Sequence, residues 1–176
     1  MLGVIMAFIL SWNDFNRGEL AEAIEPMFIR SFLTCYRTSQ TRGHMSDKDI
    51  AAYLENYFTK YVRPRLVSEE EQWFCFAREG DELIGFAIFE KHPNREIYVA
   101  ELAISPEHWR KGLGKAMMDA ILEKEPETRK ILLITEHDNK LSQKFYEGLG
   151  YRRSSYMHGG YSEEVYCGYE KDVIHE

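Results

Sequence analysis

The order of strand-like and helical segments constrains the fold of this chain more than any other feature of its sequence. Read from the first residue, the hydrophobic patterns give the order β, α, α, β, β, β, α, β, α, β, β. Strands joined by a short turn pair antiparallel, whereas strands separated by a helix usually pair in parallel. The order therefore predicts one α/β domain over residues 1–176, with a mixed central sheet and helices on both faces.

The strand predictions rest on short apolar runs that are bounded by turn residues. The first run, MLGVIMAFIL, lacks the basic flank and the cleavage site of a signal peptide, which favours a buried first strand. Two later runs, QWFCFAR and ELIGFAIFE, flank the turn EGD and predict a hairpin. Further strands are expected at EIYVAELAIS, at KILLIT and on either side of HGGYS.

Helical patterns occupy the segments between these strands. In GELAEAIEPMFIRSFLTCY, apolar residues recur at helical spacing and Pro26 predicts a kink or a restart. A second helix begins at the capping box of Ser46 and Asp49. It is expected to end before Pro64, because proline disfavours helical backbone at the residue that precedes it. Its apolar face comprises Ile50, Tyr53, Leu54, Tyr57, Phe58 and Tyr61.

The charge balance narrows the classes of partner. The 176 residues include 29 acidic and 22 basic side chains, which gives a formal net charge of -7 at pH 7. A protein that binds nucleic acid generally needs a basic surface that displaces counterions from phosphates. We therefore expect no nucleic-acid partner, and the acidic balance favours cationic small molecules instead. No membrane partner is expected.

The cysteines and histidines do not match the spacing of a known metal motif. The three cysteines, Cys35, Cys75 and Cys167, are odd in number and widely separated, which predicts reduced thiols in a cytoplasmic protein. The six histidines occur singly along the chain. No metal cofactor is therefore expected.

A strand end, a glycine turn and a helix start meet in WRKGLGKAMM, residues 109–118. Such a turn leaves unpaired backbone N–H groups at the positive end of a helix, where an anion can bind. The spacing excludes a Walker A loop, because Trp109 and Ala116 replace its first glycine and its hydroxyl residue. It also excludes a dinucleotide fingerprint, because Met117 replaces the third glycine. A purely structural turn with solvated charges is the alternative.

A second stretch, NKLSQKFYEGLGY, favours the anion-binding interpretation. Asn139 begins a helix that carries Tyr146, and Gly150 opens the next strand. In this order and taken together, the glycine turn and this helix resemble the GNAT superfamily of N-acetyltransferases. The resemblance covers most of the chain and is most specific in these two segments.

The resemblance implies a binding mode for acetyl-CoA. In this family the main-chain amides of the turn hold the pyrophosphate, and the preceding strand pairs with the pantetheine amides at a gap in the sheet. Asn139 matches a residue near the pantetheine arm. One departure is Trp109, which stands where the family commonly has Gln or Arg. The implied cofactor-binding residues are Leu102, Ala103, Ile104, Arg110, Lys111, Gly112, Leu113, Gly114 and Lys115.

Acetyl transfer from a thioester to an amine needs a base for the amine and a proton for the departing thiolate. The resemblance places Tyr146 beside the thioester sulfur as the proton donor, and a packing role in the helix is the alternative. Glu101 is the nearest acidic candidate for the base, with a structural salt bridge as the alternative. Tyr98 is a second candidate for the base, although it would face the opposite side of the strand from Glu101 unless a β-bulge intervenes.

These features predict an acetyl-CoA-dependent N-acetyltransferase that acts on a primary amine of a small molecule or peptide, as a monomer or a homodimer. The amine is expected to be cationic before it reacts. The loop RTSQTRGHMSD and the last hairpin would frame it. A non-catalytic acyl-CoA-binding or sensor protein on the same fold is the competing hypothesis.

Overall fold

A computed structural model describes residues 8–12, 17–68 and 72–174 of the chain. The strands are β1 (Ile9–Trp12), β2 (Gln72–Glu79), β3 (Glu82–His92), β4 (Glu96–Ile104), β5 (Lys130–Glu136), β6 (Arg152–Ser154) and β7 (Tyr166–Asp172). The α-helices are α1 (Arg17–Arg37), α2 (Asp47–Tyr57), α3 (Arg63–Val67), α4 (Leu113–Lys124) and α5 (Lys140–Gly148). A π-helical turn, Phe58–Val62, joins α2 to α3.

The strands form one mixed sheet in the order β1-β2-β3-β4-β5-β7-β6. Strands β1 to β4 pair antiparallel in sequence, and so do β5 with β7 and β6 with β7. The parallel pair is β4 and β5, whose connection contains α4. This is the pairing that a helical crossover requires, and the predicted mixed α/β sheet is confirmed.

Helices cover both faces of the sheet, as predicted. On one face, α4 and α5 contribute Met117, Ile121 and Tyr146 to a buried apolar cluster. On the other face, Phe28 of α1 and Phe58 of the π-helical turn belong to a second cluster, together with residues of α2 and α3. Full burial of one such side chain is worth about 1.5 to 3 kcal/mol, so these two clusters hold the layers together. Among the described residues, no helix is long and apolar enough to span a bilayer.

The helical segment that starts with α2 continues through the π-helical turn into α3 and so extends further than the sequence predicted. Ser46 caps α2 by accepting a hydrogen bond from the Asp49 N–H at 3.2 Å, as the capping box indicated. The expectation that the helix ends before Pro64 is wrong, because the π-helical turn carries the chain into α3. Pro64 occupies the first turn of α3, where no backbone N–H is needed. Tyr61, predicted on the buried face, is 42% exposed.

The first strand differs from its prediction in burial. Residues 1–7 of the predicted segment lie outside the described residues, and β1 pairs with β2 at the edge of the sheet. Ile9 is 70% exposed and the rest of β1 is half-buried, so the expectation of a buried strand is wrong for its described part. A strand at a sheet edge has one neighbour, which explains the exposure.

The last two strands pair as predicted, but they are not a tight hairpin. Strand β6 is only three residues long, and residues 155–165 separate it from β7. Within this segment, which we call the β6–β7 loop, the His158 ring stacks on Tyr98 of β4 with ring centroids 4.0 Å apart. The loop therefore packs against the middle of the sheet.

Candidate active site

The sheet opens between β4 and β5. Their parallel ladder ends at the pair Val99 and Leu133, although β4 continues to Ile104. Over the same stretch β5 goes on pairing with β7 as far as Glu136. Strand β4 thus stays with β3 while β5 stays with β7, and the two middle strands separate. This split corresponds to the gap that the family resemblance implied for the cofactor arm.

A cleft runs through the split between α1 and α5. It brings together four of the residues that the sequence singled out, namely Glu101, Leu102, Asn139 and Tyr146. Much of its remaining wall is aromatic, with rings from α1, the end of α2, β4, the β6–β7 loop and β7. The eight aromatic residues that line it are Phe28, Phe32, Tyr36, Tyr57, Tyr98, Tyr146, Tyr161 and Tyr166.

Glu101 lies on β4, lines the cleft and is only 6% exposed. Its Oε1 atom is buried and has no hydrogen-bond partner among the residues that the structure describes. Burial raises the pKa of Glu101 to about 7, because the Arg65 cation only partly opposes this effect and Glu90 adds to it. A carboxyl group with this pKa can accept and release a proton near neutral pH, as a general base must.

A β-bulge in β4 places Tyr98 on the same face as Glu101. Glu101 pairs with Ile88 on β3, and Tyr98 pairs with Glu90, two residues further along the same strand. The register shifts between these pairs, so Ala100 is the extra residue on β4. The sequence placed Tyr98 opposite Glu101 unless a bulge intervened, and the bulge is present. Tyr98 therefore also lines the cleft.

Tyr146 faces the cleft from α5, where it is 8% exposed. Its ring contacts Phe145, Tyr151 and Tyr169, which fixes its position. Burial, followed by the charge of Glu101, raises the pKa of Tyr146. The phenol therefore keeps its proton at neutral pH and can donate it to a group that enters the cleft.

A second acidic residue, Glu136, lines the cleft at the end of β5. It accepts a hydrogen bond from the Tyr36 hydroxyl at 3.1 Å and forms an ion pair with Arg42. The Arg42 guanidinium lies 4.4 Å from the centre of the Tyr36 ring and 4.8 Å from that of Tyr53. Cation–π contacts and the ion pair thus hold the loop that follows α1 against the cleft.

The loop between α1 and α2 is held at a second point by Asp138. This carboxylate accepts hydrogen bonds from the backbone N–H groups of Gln40 and Thr41, at 2.8 and 2.9 Å, and from the Ser39 and Thr41 hydroxyls. Partial burial opposes its ionisation, but these hydrogen bonds outweigh the effect and lower the pKa of Asp138. The loop that was predicted to frame the acceptor is therefore fixed to the end of β5.

Asn139, the next residue, caps α5. Its side-chain Oδ1 accepts a hydrogen bond from the Ser142 N–H at 3.0 Å, and both residues line the cleft. This cap orients the helix that carries Tyr146.

The glycine turn precedes α4, beyond the end of β4. Gly112 has a φ of 83°, in the left-handed region that favours glycine. A backbone hydrogen bond of α4 runs from the Ala116 N–H to the Gly112 carbonyl at 3.0 Å. The N–H groups of residues 113–115 belong to the first turn, where a helix offers them no internal acceptor. They can therefore bind an anion, although the turn is not part of the cleft wall.

Two close contacts fix this turn against the end of β4. The Trp109 indole N–H donates to the Ile104 carbonyl at 2.7 Å, which gives Trp109 a structural role. A Cβ atom on Gly114 would lie 2.8 Å from the Phe145 ring and 3.0 Å from the Ile104 side chain. Gly114 is therefore needed for packing, whether or not it also lets a phosphate approach.

The other implied cofactor residues differ in burial. Ala103 and Leu113 are buried in the two apolar clusters, so only their main chains are available to a ligand. Lys115 is exposed and pairs with Asp119 one turn along α4. The remaining exposed members are Arg110, Lys111 and Gly112.

The sequence did not reveal the acids of the acceptor side. Asp47, the last residue of the loop that was predicted to frame a cationic acceptor, pairs with Arg37 at the surface and does not line the cleft. The loop residues Glu163 and Glu164 do not line it either. Glu136 does, but it ends a strand of ordinary apolar pattern, and no local signal distinguishes it.

The matches to known proteins agree with this geometry. A PaiA N-acetyltransferase from Thermoplasma acidophilum, solved in complex with coenzyme A, superposes with a TM-score of 0.72 and 18% identity, over 94% of this chain and 99% of that one. The ribosomal-protein-S18-alanine N-acetyltransferase from Escherichia coli gives a TM-score of 0.60 at 14% identity, over 96% of each chain. At such low identity the likeness concerns the fold.

Sequence matches extend the comparison. UPF0157 protein YqkA from Bacillus subtilis (strain 168) is 23% identical over 88 residues, which cover 50% of this chain and only 25% of that protein. The model of the Acetyltransferase (GNAT) family matches residues 29–151, from within α1 to the residue before β6. This match includes the split, the glycine turn and α5. The chain therefore belongs to the Acetyltransferase (GNAT) family, whose activity is acyl transfer.

Proposed function

We propose that this protein transfers an acetyl group from acetyl-CoA to a primary amine. The observation that carries the proposal is the pair of Glu101 and Tyr146 in one cleft at the split of the sheet. One side chain can accept a proton near neutral pH, and the other can donate one. Both are needed when an amine displaces a thiolate.

The split offers a place for the cofactor arm. Beyond Val99, β4 no longer pairs with β5, so its main chain at Leu102 and Ala103 can pair with the pantetheine amides. The Ile104 carbonyl already accepts a hydrogen bond from the Trp109 indole N–H, so it is not counted among the groups that pair with the cofactor. The free N–H groups at the start of α4, next to the exposed Arg110 and Lys111, suit the pyrophosphate.

The transfer then needs one proton acceptor and one proton donor. Glu101 takes a proton from the ammonium group, directly or through a water molecule, and the neutral amine attacks the thioester carbon. The new C–N bond forms as the C–S bond breaks. Tyr146 donates its proton to the departing thiolate and regains one from the nitrogen, while Glu101 releases its proton to solvent. A main-chain N–H of β4 near Ile104 would stabilise the oxyanion.

The walls of the cleft favour an amine on an apolar stem. Of the two acids in the wall, Glu136 is paired with Arg42, whereas the Glu101 Oε1 atom has no hydrogen-bond partner among the described residues and the charge of Arg65 only partly offsets the burial of this carboxyl group. A single carboxylate surrounded by aromatic rings suits one ammonium group, since rings attract cations and bury apolar area. A polyamine would leave its second charge without a partner there.

A panel of amines with acetyl-CoA tests the proposal, with free CoA thiol as the readout. The panel contains phenethylamine, putrescine, lysine amide and a peptide with a free N-terminal alanine. We expect thiol release, with the highest kcat/KM for phenethylamine. Binding of CoA without thiol release from any amine would instead support the acyl-CoA sensor. Preference for putrescine would contradict the predicted acceptor class.

A further inference from the structure

Three side chains that commonly bind metal ions meet beside the cleft. Glu90 and His92 are two residues apart on β3 and share one face of the sheet. The Glu90 Oε2 atom lies 3.8 Å from the Nε2 of His158 and 4.0 Å from the Nε2 of His92. All three ligand atoms lie within 4.8 Å of one another. The fold thus joins two histidines that the sequence separates.

Neighbouring groups contact the outer atoms of Glu90 and His158 and leave the atoms that face one another available to a metal ion. The Tyr156 hydroxyl lies 3.1 Å from His158 Nδ1, and the Arg65 Nε donates to Glu90 Oε1 at 2.9 Å. His158 Nε2 and Glu90 Oε2 therefore remain free to bind a further group. Outer contacts of this kind orient the ligands in known metal sites.

Ring contacts orient the two imidazoles. His158 is parallel to the Tyr98 ring, with an interplanar angle of 1°, and its centroid lies 5.7 Å from that of His92. The side chains of Glu90, His92 and His158 are 14%, 24% and 20% exposed. The cluster is thus ordered by its surroundings and still open to an ion from solvent.

We propose that Glu90, His92 and His158 bind one divalent transition-metal ion of the zinc class, with water as the fourth ligand. Two imidazole nitrogens and one carboxylate oxygen form a ligand set that zinc prefers. The ligand atoms of a tetrahedral zinc ion lie about 3.3 Å apart, so these atoms must approach one another by roughly 0.5 to 1.5 Å. Side-chain rotation supplies such a movement.

Metal binding would connect β3 to the β6–β7 loop. The His158 ring contacts Tyr161, with centroids 5.9 Å apart, and Tyr161 lines the cleft. The ion would therefore stabilise the β6–β7 loop, which supplies Tyr161 to the cleft, without entering the split itself. Arg65 keeps its bond to Glu90, and its charge makes the affinity weaker than that of a closed four-ligand site. Metal binding does not depend on the proposed acyl transfer.

Isothermal titration of the metal-stripped full chain with ZnCl₂, in thiol-free buffer, tests the site. We expect one ion per chain and at least tenfold weaker binding in His92→Gln and in His158→Gln. His44→Gln is the matched control, because His44 is an exposed histidine outside the cluster. Equal affinity in wild type and His158→Gln would overturn the proposal.

A second measurement needs no variant. At about a hundredfold excess of Zn²⁺ over its Kd, the melting temperature of the wild type should rise by several degrees. Co²⁺ in place of Zn²⁺ should give the visible absorption of a four-coordinate site. Absence of the thermal shift would mean that the cluster is only a ring stack that packs the loop.

Discussion

Two carboxylates line the same cleft at nearly the same burial, yet their surroundings differ. Glu136 is 8% exposed, pairs with Arg42 and accepts a hydrogen bond from Tyr36. Glu101 is 6% exposed, and its Oε1 has no hydrogen-bond partner within the described parts of the chain. Burial does not distinguish the two residues. Their partners do, and the partners indicate which carboxylate is structural and which is reactive.

A buried carboxylate whose charge is only partly compensated destabilises a fold, because the charge loses its hydration. The raised pKa of Glu101, about 7, expresses this cost. A purely structural residue would gain nothing from it, whereas a general base requires a pKa near the working pH. We infer that Glu136 holds the loop between α1 and α2 against the cleft and that Glu101 acts as the general base.

The contrast between a reactive and a structural group also applies to the Tyr146 and Tyr36 hydroxyls. Removing the Tyr146 hydroxyl should have the largest predicted effect, which is on kcat. Tyr146→Phe should lower kcat by a factor of about 100 to 10,000, the usual contribution of a general acid. Its melting temperature should stay near that of the wild type, since the ring still packs. In the control Tyr36→Phe, the structural hydroxyl that bonds Glu136 is lost, so stability should fall while kcat changes far less. Near-full kcat in Tyr146→Phe would make Tyr146 a packing residue.

Breaking the structural carboxylate should destabilise the protein. Glu136→Gln leaves the Arg42 guanidinium, whose side chain is 18% exposed, without its ion-pair partner. Removal of one member of a buried pair costs about 3 to 5 kcal/mol. Urea denaturation at pH 8 measures this as a lower midpoint at an unchanged slope. An unchanged midpoint would show that the pair contributes little to stability.

Neutralising Glu101 should stabilise the protein, whereas neutralising Glu136 should destabilise it. The pKa of Glu101 is about 7 in the folded chain against an ordinary 4.5, so the folded state binds the extra proton between these values. Stability therefore falls as the pH rises through this window. Glu101→Gln should stabilise the protein at pH 8 by about 3 kcal/mol and give no gain below the ordinary pKa. Destabilisation at pH 8 would indicate a structural Glu101.

The sequence predicted those parts of the site that depend on neighbouring residues. Asn139 caps α5, Ser46 caps α2 and Gly112 opens α4, because each acts on the backbone within a few residues. The hairpin of β2 and β3 follows from a short turn between two apolar runs. Such local signals can be recognised in the sequence without knowledge of the fold.

The parts that escaped prediction depend on distant residues. Arg42 meets Glu136 across 94 positions, and no pattern near either residue indicates the pair. The bulge at Ala100 is visible only in the pairing of β4 with β3. Pro64 predicts a helix end, but the π-helical turn Phe58–Val62 continues the helical path into α3, and such a turn has no clear sequence signal. Tertiary packing decides these features.

The pH dependence of acetyl transfer tests the role of Glu101 most directly. The measurement is kcat/KM for wild type and for Glu101→Gln, with the best amine of the panel, across the pH range around neutrality. Their ratio cancels the protonation of the amine itself, which is common to both. We predict a ratio that rises about tenfold per pH unit below pH 7 and is constant above it, at about 100 to 10,000. A ratio near one at every pH would contradict the account.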